Sequence, residues 1–194
     1  LRARRKARRS PWRSLADGLV FLALAVLVAV SVSRTGWLSP ESGRFTAIDG
    51  DSLRKGEQEY RLHGIDAPEL RQNCTGRDGK QFPCGRAARD HLRSLVGSET
   101  LDCDILETDR YGRLVVECRA GALDINREMV RSGWAIAYRR HGTAQGDAES
   151  AAREAGRGIW QGTFETPERW RERHRNAMMR GGMNEMGLEP VPVD

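Results

Sequence analysis

Five short stretches have strand character: RFTAI (44–48), SLRKG (52–56), EYRLHGI (59–65), ETLDCDIL (99–106) and RLVVECRA (113–120). One amphipathic helical stretch falls between the third and the fourth. That order predicts a mixed domain, mainly β with α (α+β), built on a five-stranded OB-fold barrel with three helices. An N-terminal hydrophobic helix and a C-terminal helical extension complete the expected architecture.

Residues 1–14 form a basic segment, and residues 15–34 are apolar apart from Asp17, Gly18 and the flanking polar positions. The pattern predicts a transmembrane signal anchor. Its uncharged part, 19–32, is shorter than the roughly 20 residues of a comfortable spanning helix, so a cleavable signal peptide stays open, with Ala29-Val30-Ser31 as its small-residue site. Basic residues ahead of the apolar run keep that end in the cytoplasm. The domain is then expected on a single-pass inner-membrane protein, facing the periplasm or the exterior. Cleavage would instead release it as a secreted or periplasmic protein.

Seven of the 32 basic residues precede the first acidic one, which leaves 25 against 27 acidic residues in the remainder. The formal charge of +5 therefore belongs to the N-terminal block. Net charge gives no reason to call the domain nucleic-acid binding; only local arginine placement can.

Residues 35–43 read as a linker and 44–162 as the barrel domain. In GRAARDHLRSLV (85–96), Ala88, Leu92, Leu95 and Val96 share a helical face, with Gly97 as the stop. The last two strands are joined across TDRYG. Residues 123–132 place Ile125, Met129 and Val130 inward, with Gly133 as a C-terminal cap. A third helix is expected at 147–155, before GRGIW. Thr166 and Pro167 open a charged, solvated helix in segment 163–180, with Trp170 as its docking residue. Residues 181–194 carry Gly181, Gly182, Pro190 and Pro192 and read as a disordered tail.

The four cysteines lie at Cys74, Cys84, Cys103 and Cys118. No C-x-x-C spacing occurs, and His63, His91, His141 and His174 show no ligand pattern, so a zinc site is not indicated. An even count in an exported domain suggests two disulfides. Cys103 and Cys118 face each other if the turn centres on Arg110 and Tyr111, which leaves Cys74 with Cys84. Four buried thiols are the alternative. Trp134 and Trp160 read as core residues.

Three strings carry chemistry: IDGDS (48–52), RLHGIDAPE (61–69) and TDRYGR (108–113). Asp51 and Asp66 are hard oxygen ligands, Glu69 is a proton acceptor, and Arg61 and Arg113 can fork onto phosphate. Their order and spacing resemble the staphylococcal nuclease-like (thermonuclease) family, whose pattern is D-G-D-[ST], R-L-x-x-[IV]-D-x-P-E and D-x-Y-G-R. The resemblance runs from about residue 44 to 160.

The resemblance implies a calcium-dependent nuclease that cuts DNA, RNA or both, and the chain is expected to be a monomer. It assigns Asp51, Asp66 and the main-chain carbonyl of Ala67 to Ca²⁺, and Arg61, Glu69 and Arg113 to catalysis. Glu69 would orient or deprotonate the attacking water. Arg110, Tyr111 and Tyr138 would contact substrate, Tyr138 being followed by Arg139 and Arg140. Ala67 stands where the family often has a hydroxyl residue, and Ser52 stands for Thr.

Regular strand alternation puts Arg61 and Asp66 on opposite faces, so the implied site requires a bulge or twist at Gly64. Membrane contact would come through the N-terminal helix. An alternative reading is a catalytically weak OB-fold module binding nucleic acid or protein in the cell envelope. A third is an envelope assembly protein that uses its C-terminal helix as a contact.

Overall fold

The chain forms two compact units, residues 1–39 and 40–194. A computed structural model describes residues 18, 20–28, 30, 40–97, 99–138 and 145–185. In the first unit the described residues form helix α1, with Phe21, Leu22, Leu24 and Leu27 exposed. The basic segment 1–14 and both ends of the apolar segment 15–34 lie outside the described residues. No helix among the described residues is long and apolar enough to cross a membrane.

The second unit begins with β1 (Glu41–Gly43), β2 (Thr46–Ala47), β3 (Ser52–Lys55), β4 (Gln58–Leu62) and β5 (Ile65–Asp66). Next come β6 (Cys74–Thr75), β7 (Gln81–Phe82), α2 (Cys84–Val96), β8 (Leu101–Thr108), β9 (Leu114–Ala120) and β10 (Leu123–Asp124). It ends with α3 (Ile125–Arg131), β11 (Ile136–Ala137), α4 (Gly146–Glu154), a 3-10 turn at Gly158–Gln161, and α5 (Pro167–Glu185).

Seven strands form one curled half-barrel sheet in the order β1-β8-β9-β4-β3-β2, with β10 paired to β9. This is the expected mixed α+β, OB-like fold. The five predicted stretches appear as β2, β3, β4 with β5, β8 and β9, and all three predicted barrel helices are present. Two boundaries differ from expectation. The end of the supposed linker, residues 41–43, is drawn into the sheet as β1, where Glu41 lies opposite Cys103 and Lys55 Nζ bonds Glu41 (2.5 Å). The C-terminal helix runs past 180 to Glu185, and residues 186–194 lie outside the described ones.

Every named pairing in the main sheet is antiparallel except β4 with β9, where Tyr60 lies beside Leu114 and Leu62 beside Val116. Inside the curl, Leu53, Leu62, Val116, Leu101 and Ile65 pack against Ala88, Leu92 and Val96 of α2 and Ile125, Met129 and Val130 of α3. Each large aliphatic side chain so buried contributes about 1.5–3 kcal/mol. A Schellman motif ends α3: Gly133 N–H donates to Val130 O and Trp134 N–H to Met129 O, both 2.9 Å. Gly133 is thus the residue after the cap, Ser132.

A smaller cluster of Cys74, Cys84 and Ile159, with Phe82, Trp134, Trp160 and Phe164 packed against it, fastens the C-terminal segment to the loop before α2. Trp134 and Trp160, expected as core residues, are partly buried and pack against the core clusters. Two disulfides join Cys74 to Cys84 and Cys103 to Cys118, the pairing expected from their positions. Non-reducing peptide mapping of the oxidised protein should recover these two bridges and no alkylatable thiol.

Asn126 is a polar residue on the buried face of α3. Its Oδ1 accepts the Cys118 N–H (3.1 Å), while Nδ2 donates to His63 O and Val116 O (both 3.0 Å). One side chain thereby replaces ladder bonds where β4 leaves β9. Asn126→Ala takes the partner from the Cys118 N–H and the His63 carbonyl, while Val116 O keeps the His63 N–H (2.8 Å), so it should cost at least about 2 kcal/mol by urea unfolding, given about 1–3 kcal/mol for each buried unsatisfied group.

Candidate active site

The turn before β3 brings in the first carboxylate. Asp49 Oδ1 accepts the Asp51 N–H (3.0 Å), so Asp49 shapes the turn and Asp51 is left to face the barrel mouth. Asp51 O accepts the Leu62 N–H (2.9 Å), which locks the turn to β4. Asp51 Oδ2 accepts the Ala67 N–H at 2.7 Å. Ala67 is itself buried, and a Cβ at Gly50 would lie 2.6 Å from its methyl. The small residue at 67 therefore also fits a tight contact with the Asp-Gly-Asp turn.

Arg61 and Asp66 meet through the expected break in the strand. Gly64 sits at φ +72°, a left-handed turn that separates β4 from β5 and reverses the face presented by Asp66. Arg61 Nη2 then donates to Asp66 Oδ1 (3.0 Å), and Arg61 Nη1 bonds Asp51 Oδ1. One guanidinium thus holds both carboxylates, which are 3% and 1% exposed.

Glu69 lies on the loop that follows Pro68. The loop passes so close to α2 that a Cβ at Gly85 would overlap the Glu69 carbonyl. Fully buried Gln72 fixes it further, with Oε1 accepting the Glu69 N–H (3.1 Å) and Nε2 donating to Glu165 O (2.6 Å).

Arg113 leaves the β8–β9 turn under the control of Asp109. Asp109 Oδ1 accepts from the N–H groups of Tyr111 (2.8 Å) and Arg113 (3.0 Å), and Oδ2 accepts from Arg113 Nε (2.8 Å). The Arg110 guanidinium lies over the Tyr111 ring, 4.8 Å from its centroid, and Tyr111 is 69% exposed.

All nine residues read as metal, catalytic or substrate ligands line one open cleft of about 650 Å³: Asp51, Arg61, Asp66, Ala67, Glu69, Arg110, Tyr111, Arg113 and Tyr138. Arg139 and Arg140 lie outside the described residues.

The same cleft contains an arginine that the motifs did not indicate. Arg171 of α5 places Nη1 on Asp66 Oδ1 (3.0 Å) and Glu69 Oε1 (2.7 Å), and Nη2 on Asp66 Oδ2 (3.0 Å). Trp170, the expected docking residue, instead stacks on His174 of its own helix at 3.6 Å. The helix therefore reaches the cleft through an ion pair.

Burial pushes the Asp51 carboxyl well above the usual range; Arg61 opposes that rise, and Asp49 and Asp66 add to it. For Arg61, burial works against its charge, but Asp51, Asp66 and Asp49 outweigh it and raise its pKa. The pocket is thus a place where acidic groups demand a cation. Among the described residues no three His, Cys, Asp or Glu side chains are grouped as a ready metal cage. Two buried carboxylates converging on one cationic centre still fit a hard cation such as Ca²⁺, whose shell of about six to eight oxygens can be completed by main chain, water and phosphate.

Residues 59–162, more than half of the chain, match the Staphylococcal nuclease homologue family. The chain belongs to that family. It is 28% identical over 162 residues to a protein of Schizophyllum commune named Probable endonuclease LCL3, covering 73% of this chain and 54% of the relative. Another relative, a Probable staphylococcal-like nuclease CAN3 of Oryza sativa subsp. japonica, is 31% identical over 137 residues, covering 69% of this chain and 34% of its own length. A third, named Uncharacterized endonuclease, from Escherichia coli, is 31% identical over 135 residues, covering 66% of this chain and 81% of the relative. The chain thus spans about half the length of the fungal relative and a third of the rice one.

Asp109 gives a direct test of the turn. Burial raises its pKa, but the hydrogen bonds from Arg113 and Tyr111 prevail and hold it below the ordinary value. Its contribution to the turn is complete above the unfolded pKa of about 3.9 and is lost as pH falls through the lower folded pKa. The Tyr111 and Arg113 amide resonances should titrate with that lowered midpoint, and Asp109→Asn should abolish the titration.

Proposed function

We propose that this domain is a calcium-dependent nuclease that hydrolyses phosphodiester bonds of DNA or RNA outside the cytoplasm. The observation that carries the reading is the convergence of Asp51, Asp66, Glu69, Arg61 and Arg113, from three separate strings, on one cleft. The names of the relatives point the same way. Export is supported by the basic-then-apolar N terminus and by the two disulfides, which persist in oxidising compartments. Attachment through the N-terminal helix and release after cleavage remain the two routes.

Asp51, Asp66 and the Ala67 carbonyl would hold calcium, which supplies positive charge against the attacked phosphate. Arg113 spends Nε and Nη2 on Asp109 and offers Nη1 to a phosphate oxygen. Arg61, held by both carboxylates, presents a second cationic edge to the same group. Together they stabilise charge that grows as phosphorus becomes five-coordinate. Glu69, anchored through Gln72, orients the attacking water and accepts its proton. Arg110, Tyr111 and Tyr138 line the route of the neighbouring nucleotides, with the exposed Tyr111 ring as a stacking surface.

The test is incubation of the purified chain with labelled DNA and labelled RNA, in calcium and in chelator. Calcium-dependent cleavage is expected. Arg113→Ala should lower turnover by at least about a hundredfold, as for loss of one oxyanion-type donor, with the circular dichroism spectrum unchanged. Asp51→Asn should weaken metal affinity so that added calcium partly restores the rate. Binding without cleavage under every divalent ion would show a binding module instead.

A further inference from the structure

We propose that Arg171 is a resident cation of the site: it occupies Asp66 and Glu69 and must be displaced before a divalent metal ion can bind. The inference rests on the assignment of Asp66 as a metal ligand.

The geometry is that of a competitor. Arg171 uses both terminal nitrogens on both Asp66 oxygens, and Nη1 also reaches Glu69. Asp66 Oδ1 already accepts from Arg61 (3.0 Å), so donors engage both oxygens of that carboxylate. A metal ion taking Asp66 has to replace a bidentate, charge-assisted contact at a side chain 1% exposed. Burial opposes the charge on Arg171, but Asp66 and Glu69 overcome it.

The segment leading into the helix that carries Arg171 is tied down independently of that contact. Thr75 and Thr163 exchange main-chain hydrogen bonds (both 2.9 Å), and Glu165 O accepts Gln72 Nε2 (2.6 Å). Both attachments fall just ahead of α5, which starts at Pro167. The helix lies beyond the family match, which ends at residue 162. The arginine thus reaches Asp66 and Glu69 from outside the matched residues.

A ligand that binds only the uncovered state has its affinity reduced by the fraction uncovered. If Arg171 covers the carboxylates about nine-tenths of the time, its removal raises calcium affinity roughly tenfold. Calorimetric titration of the full chain with calcium chloride should show that rise in Arg171→Gln, and a smaller one in Arg171→Lys, which keeps the charge but loses the fork. Arg173→Gln removes the same charge from the same helix, where the exposed Arg173 pairs with Glu165, and should leave affinity within about twofold.

In the unmutated chain, saturating calcium should also speed hydrogen exchange at the first turns of α5. Equal gains in Arg171→Gln and Arg173→Gln would reduce the effect to net charge and overturn the proposal. So would unchanged affinity in Arg171→Gln and Arg171→Lys while Asp66→Asn still abolishes binding; the metal assignment would then survive alone. Calcium binding indifferent to Asp66→Asn in every background would remove the assignment and the proposal together.

Discussion

The site depends on a single partly buried guanidinium bonded to two buried carboxylates. Arg61 lies on β4, Asp51 on the turn into β3 and Asp66 on β5, so their contact pins three successive backbone segments to one point. Buried charges are costly unless paired, and losing one member leaves the others uncompensated. Every local feature around the cluster serves that pairing: the Asp49 turn, the left-handed Gly64 and the Ala67 N–H on the far oxygen of Asp51. Stability and chemistry share the same atoms here.

Around that cluster the loop bearing Glu69 is fastened from three directions. Gln72 ties it to the segment leading into α5, Gly85 lets α2 press against it, and the Cys74–Cys84 bridge closes its far end. The loop that carries Glu69 over the open cleft is thereby tied to three neighbouring segments. The C-terminal extension serves as a fastening as well as an appendage.

The barrel was legible because strand character, turn residues and helical periodicity are local signals along the chain. Of the nine cleft residues, Tyr138 came from the family's later aromatic position; the other eight were legible because they lie in three strings with a recognisable order, which also implied the break at Gly64. Arg171 was not, since an arginine among alternating Glu and Arg looks like any solvated helix face and only tertiary structure aims it. Trp170 carried the stronger local signal for docking, yet it stacks within its own helix. Gln72 and Asn126 were invisible for a related reason: a lone amide gives no periodic signal, and its worth lies in the backbone groups it reaches. Residues 41–43 read as linker because a short edge strand is defined by its partner, β8, sixty residues later.

The parallel seam between β4 and β9 has a consequence for how the domain survives handling. Both disulfides are short-range, bridging 10 and 15 residues along the chain, and neither crosses that seam. The hairpin of β8 and β9 can close and oxidise on its own, whereas Tyr60 must find Leu114 from far along the chain. No covalent bond crosses the line that Arg61 and Val115 share, so the barrel can part there with both bridges intact. Parting along that seam would open the cleft while leaving both bridges closed, so a fully oxidised sample is no guarantee of an assembled one.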